Sequence, residues 1–124
     1  MSFEELCALA KAALNPRKLS EYADAGSVGA ALETDSGKVY TGVCIDTTSG
    51  MGFCAEHAAA GAMITAGENR VVRMVAVGRD GLVLPPCGRC REFIRQLHPD
   101  NLDCEVMVKE GVIMPLRDLL PYPF

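Results

Sequence analysis

No run of apolar residues in these 124 approaches the roughly 20 that a membrane-crossing helix needs, although hydrophobic side chains make up 49 % of the total. A membrane partner is therefore not expected. An extended basic segment is missing as well, and the net charge is −4, which argues against a polynucleotide partner and for a free small molecule. The one tight basic group, Arg89, Arg91 and Arg95, lies in a helical stretch beside two cysteines, where it serves that region or a solvated face. A secretory leader pattern is also lacking, so the six cysteines are expected as thiols in a reducing, cytoplasmic setting, not as a disulfide framework. The charged fraction of 23 % is ordinary, so disorder is not expected. A chain of this length reads as a single domain, 1–124, with one core.

What the sequence does contain is concentrated in two short motifs, Cys54-Ala55-Glu56 and Pro86-Cys87-Gly88-Arg89-Cys90. Together they offer three thiolates for one metal, Cys54, Cys87 and Cys90, and a carboxylate that is not needed as a ligand. Three protein ligands leave the fourth tetrahedral position of zinc to water, whose acidity the metal raises. Glu56 beside that water has the chemistry to take its proton and return it to a leaving amine, the arrangement of the zinc deaminases. Residues two apart on a helix point in different directions. Cys54 and Glu56 thus converge on one ion only if a helix begins about Cys54 with the metal off its N-terminal end. Pro85 and Pro86 make Cys87 a second helix start, and two helix N-termini would then steady the thiolates. Arg89, Arg91 and His57 are the nearby sources of positive potential. The competing reading is a closed, non-catalytic zinc module, its fourth ligand drawn from Cys44, Cys104, His57 or His98, with Glu56 reduced to a partner of the helix dipole.

The elements alternate as in an α/β domain. Ser2 and Glu5 form a capping-box pattern ahead of Leu6, Leu9, Ala10 and Ala13 at helical spacing, closed by Pro16. Residues 17–26 read as a loop, and 28–33 and 39–45 as a hairpin. A nearly all-apolar helix over 54–65 should be buried on more than one side, against a sheet and a neighbouring subunit. A strand over 71–77, a loop over 79–86, a helix from Cys87 to a stop before Pro99, strands over 104–108 and 111–114 and a terminal helix over 116–120 complete the chain. This βαβαβ order predicts parallel pairing, with both metal motifs just after strand ends, where open α/β sheets place their sites. Cys7 and Cys104 read as buried thiols, His98 as a partner of its helix dipole, and Phe53 and Phe124 as candidates for stacking on a ring.

Through Val28-Gly29-Ala30-Ala31-Leu32, Cys54-Ala55-Glu56 and Pro86 to Arg91, the chain resembles the cytidine deaminase family from about residue 20 onward. Pro86 to Arg91, His98-Pro99 and Asp118-Leu119-Leu120-Pro121 are most similar to its blasticidin S deaminase branch. The resemblance implies a three-layer α/β/α sandwich with a mixed five-stranded sheet and one zinc per subunit on Cys54, Cys87 and Cys90, with Glu56 as proton carrier. It also implies a homotetramer with shared active sites, into which Phe124 would reach from a neighbour, and hydrolysis of the 4-amino group of a cytosine nucleoside or close analogue. Ala55, Cys44 and Asp46 are the expected substrate contacts. Three departures stand out. Cys44 and Asp46 occupy the places of the family's ribose-holding Asn and Glu, Gly26 replaces a Phe, and His57 replaces the Arg that commonly follows the Glu.

Overall fold

A computed structural model describes residues 1–124. Helix α1 (Phe3–Ala13) starts as its sequence predicts. Ser2 Oγ accepts the Glu5 N–H while the Glu5 carboxylate accepts the Ser2 N–H, so two otherwise orphaned donors are satisfied reciprocally. Leu6 and Ala10 are its fully buried contacts, one turn apart, whereas Leu9, expected on the same stripe, is 38 % exposed. The helix is followed by β1 (Arg17–Ser20), β2 (Ala23–Thr34) and β3 (Val39–Thr47), then α2 (Ala55–Thr65) and β4 (Val71–Gly78). A short β5 (Val83–Leu84), α3 (Gly88–Leu97), β6 (Glu105–Lys109), β7 (Val112–Pro115) and α4 (Leu116–Leu119) complete the chain.

Five of the strands lie in the order β3-β2-β4-β6-β7. The sheet has seven strands and not five, because β1 and β5 add to it. Both lie in segments whose sequence reads as loops. At Ala23–Ala25 strand β2 is flanked by β3 on one side and by β1 on the other, and β5 runs antiparallel to the last residues of β4. The parallel prediction holds for direction but for adjacency only at β4 and β6. Strands β3 and β4 run the same way, yet β2 lies between them, antiparallel to both. The reason is local: the turn after β2 makes β3 its hairpin partner, so the chain through α2 must cross β2 to reach the sheet again.

Alternation along the strands divides the core into layers. Ala31, Val75, Val77 and Met107 face Leu6 and Ala10 of α1. Leu32, Met74 and Val106 face the other way and pack with Ala59, Ala60 and Met63 of α2, Ile94 of α3 and Leu116 of α4. At about 1.5–3 kcal/mol for each large apolar side chain removed from water, these two layers are the main stabilising term. Small residues let α2 approach closely: a Cβ on Gly42 would sit 2.4 Å from the Ala59 nitrogen. The far side of α2 is uncovered in the single chain, with Gly61, Ala62 and Ile64 exposed.

Asn101 ties the end of α3 to the start of β4. Its fully buried amide accepts the Val71 N–H at 2.9 Å and donates to the carbonyls of Ile94 at 2.9 Å and Asn69 at 3.1 Å. Leaving buried backbone groups without partners costs roughly 1–3 kcal/mol each. Asn101→Ala should therefore lower unfolding free energy by about 3 kcal/mol in a denaturant titration, and a change under about 1 kcal/mol would show that water replaces the amide without loss.

Candidate active site

Two helix starts converge where the motifs predict. Cys54 is the N-cap of α2 and Cys87 the N-cap of α3, both with extended backbone dihedrals, so each thiol projects off the positive end of its helix. Cys90, one turn into α3, is fully buried and points to the same place. The Sγ atoms of Cys54 and Cys87 are 3.5 Å apart, as are those of Cys87 and Cys90, and Cys54 and Cys90 lie within 4.8 Å of each other. Zinc bonded tetrahedrally to sulfurs at about 2.3 Å separates them by about 3.8 Å. The triangle therefore fits a zinc ion on its donors and its dimensions.

The electrostatics differ from sulfur to sulfur. Burial works to raise the Cys87 thiol, but the N–H groups of Cys90 and Arg89 and the neighbouring thiols outweigh it and hold Cys87 below the usual thiol range. Cys54 is pushed up, first by burial and then by its contact with Cys87, and Cys90 is pushed up far more strongly by burial. Glu56, in the first turn of α2, is 4 % exposed, and burial raises its carboxyl above the ordinary range despite hydrogen bonds from its own backbone and from Cys90. A carboxyl moved toward neutrality is the form of Glu suited to both giving and taking a proton near pH 7. His57 Nδ1 lies 3.3 Å from Cys90 Sγ, its ring stacked on Phe93 with centroids 4.2 Å apart, and burial lowers its basicity. Of Arg89, Arg91 and His57, only the His57 side chain contacts a sulfur, and its ring nitrogen lies within 4.8 Å of both the Cys54 and Cys90 Sγ atoms.

Part of this group opens into a cleft of about 420 Å³, with Cys90 and His57 behind its lining. Cys54, Ala55, Glu56 and Cys87 line it together with Cys44, Asp46 and Phe53, so every expected substrate contact is there except Phe124. Phe124 is 96 % exposed, and its N–H donates to the Glu92 carboxylate at 2.8 Å on the outside of α3. Sequence reasoning missed Ser27, whose hydroxyl is 3.3 Å from Cys44 Sγ, with the Asp46 carboxylate 3.8 Å beyond. Its signal was present in the pattern, since Ser27 directly precedes the Val28 run and faces the β3 strand that carries Cys44. The place of Gly26 admits no side chain. Its φ is +85° and a Cβ would lie 2.2 Å from the Asn15 carbonyl oxygen, so an aromatic wall cannot stand there in this backbone.

The other candidates fall away from the site. His98 accepts the Asp100 N–H through Nδ1 at the turn after α3, Cys7 meets Met107 Sδ at 3.7 Å, and Cys104 is buried in the core, its thiol pushed up to about 12 by burial.

A carboxyl beside a thiol triangle at the meeting of two helix N-termini, on a mixed sheet covered on both faces, is the arrangement expected of a zinc-dependent hydrolytic deaminase. Residues 4–105 match the family model described as the cytidine and deoxycytidylate deaminase zinc-binding region, and the chain belongs to that family. Its enzymatic class is that of a hydrolytic deaminase, with zinc as cofactor. It is 36 % identical over 99 residues to a cytidine deaminase of Mycobacterium tuberculosis, a match covering 79 % of this chain and 72 % of the relative. A blasticidin-S deaminase of Bacillus cereus is 31 % identical over 109 residues, with 78 % and 76 % covered. Among solved structures, the M. tuberculosis cytidine deaminase superposes with a TM-score of 0.84 at 31 % identity, covering 100 % of this chain and 98 % of that one. The Burkholderia pseudomallei cytidine deaminase gives 0.81 at 31 %, with both chains fully covered.

Proposed function

We propose that this chain removes the 4-amino group of a free cytosine nucleoside or a close analogue, giving the uracil form and ammonia. The observation that carries the reading is the buried Glu56 carboxyl, its proton affinity raised, beside three convergent thiols of which Cys54 and Cys87 line a cleft of nucleoside size. Cys54, Cys87 and Cys90 hold zinc, which when bound supplies the Lewis acidity that makes water nucleophilic at neutral pH. Glu56 takes a proton from the attacking water and passes it to the ring nitrogen next to the reacting carbon, then takes the proton of the hydroxyl added to that carbon and delivers it to the amine, which leaves as ammonia as the carbonyl forms. Phe53 lies along the cleft wall where the ring would stack. The apolar exposed side of α2 and the free aromatic tail support a homotetramer with shared sites, in which Phe124 enters a neighbour's cleft. Sedimentation at micromolar concentration should show the tetramer, and a fully active monomer would end this part of the reading.

Three residues of the cleft lining favour an analogue over cytidine itself. Ser27, Cys44 and Asp46 present a hydroxyl, a thiol and a solvated carboxylate there. A thiol is a weak partner for a sugar hydroxyl, and each hydroxyl left without a good partner costs about 1–3 kcal/mol. A sugar-side group that is less hydroxylated or positively charged suits these residues better. Ammonia release from cytidine, deoxycytidine, cytosine and blasticidin S tests both levels of the reading: release from none of them removes the deaminase assignment, and a preference for cytidine with low micromolar KM removes the analogue. Cys44→Asn combined with Asp46→Glu should raise kcat/KM for cytidine relative to the best substrate by about tenfold, or roughly 1.4 kcal/mol. An unchanged ratio would show that these positions do not govern recognition.

A further inference from the structure

Arg91 is half-buried on α3 and has no carboxylate within ion-pair distance. Its donors go instead to two backbone carbonyls from separate segments: Nε–H to Pro86 at 2.8 Å and Nη1–H to Leu119 at 3.1 Å. We infer that Arg91 is a positioning residue for the metal centre, acting through the Pro86–Cys87 peptide. This rests on the reading of Cys87 and Cys90 as zinc ligands.

The argument begins with planarity. The Pro86 carbonyl and the Cys87 N–H belong to one rigid peptide unit, so holding the oxygen fixes the plane from which the Cys87 Cα and its thiol project. After Cys87 the chain is held by the helix, where the Cys87 carbonyl accepts the Arg91 N–H at 3.1 Å, but on its N-terminal side Cys87 depends on how Pro86 is held. It is exposed, its side chain makes no capping hydrogen bond, and the segment leading to it contains Pro85 and Pro86, neither of which has an N–H to bond. Cys90 by contrast is locked within α3 and wholly buried. Because Arg91 is the next residue of the same helix, its grip on Pro86 sets the loose ligand against the fixed one and maintains their 3.5 Å separation.

The second bond extends the device. Leu119 ends the four-residue helix α4, where carbonyls lack helical partners. Arg91 takes up that carbonyl, so one guanidinium joins the C-terminal segment, the loop before Cys87 and the helix carrying Cys90. The planar fork suits two acceptors held in different directions, and a lysine ammonium at this depth has no second arm to match it. Side chains that orient metal ligands typically account for about 10- to 100-fold in metal affinity or activity.

The test is zinc affinity of the full chain, measured by competition with a chromophoric chelator well below the melting temperature. Arg91→Leu should raise the zinc dissociation constant about tenfold, and Arg91→Lys, which keeps charge and length, should fall between it and wild type. The activity lost by Arg91→Leu should return when zinc is added in excess, with KM little changed. Arg73→Leu is the control, since it removes another half-buried arginine that bridges Glu33 and Glu105 away from the cleft, and its zinc affinity should equal wild type. The inference is overturned if Arg91→Leu binds zinc within about twofold of wild type, or if Arg73→Leu weakens zinc equally. Should wild type itself bind no zinc through cysteine sulfur, it is the functional reading that fails, and X-ray absorption of the wild-type protein separates that case.

Discussion

Glu56→Gln should lower kcat by a factor of about 10² to 10⁴, the range ascribed to a positioned general acid and base, while zinc content and melting temperature stay near wild type. The amide keeps the shape of the carboxyl in its buried seat but can neither accept nor deliver the proton that water must lose and the amine must gain. Burial is what suits the native residue to both duties, since removal from water disfavours its charged form. Ammonia release and metal analysis of the same preparation give the answer. Normal turnover by the Gln variant would mean that another group carries the proton.

Removal of a ligand tests the metal separately. Full structural zinc sites bind with roughly 10–16 kcal/mol, so one of four ligands is worth about 2.5–4 kcal/mol, and Cys87→Ala should weaken zinc by a factor on the order of 10² to 10³. Cys87 is the informative choice because it is exposed: its loss opens no cavity, and the metal-free protein should melt near the metal-free wild type. In the wild type, X-ray absorption should show three sulfurs and one light atom. A shell of three sulfurs and an imidazole, with no oxygen, would place His57 on the metal, close the site, and remove the position at which water is activated.

How far the fold was legible depended on whether its signals were local. The capping box at Ser2, the hairpin and the apolar periodicities are properties of neighbouring residues, and the elements they mark form where expected. Strands β1 and β5 left no such trace. Every residue of Arg17–Ser20 is exposed and Val83–Leu84 is two residues long, so neither alternates, and both exist through backbone bonds to strands already in place. Leu9 shows the converse, an apolar residue at the right spacing that the sheet does not cover.

By itself the sequence determined the donor types and their spacing: a thiol and a carboxyl two apart at one helix start, two thiols three apart at another. These follow from helix geometry within a few residues. Only the tertiary structure decided that the two starts meet, bringing Cys54 and Cys87 to 3.5 Å across 33 residues of chain. It also decided that His57 and not an arginine touches a sulfur, that Arg91 reaches the Pro86 carbonyl, that Ser27 joins Cys44, and that Gly26 presses on Asn15 where a side chain cannot fit. The physical reason is that α2 and α3 are oriented by burying Ala59, Ala60, Met63 and Ile94 on one face of the sheet. That burial is non-directional and sums over many residues, so no short motif records which side chains it will place in contact.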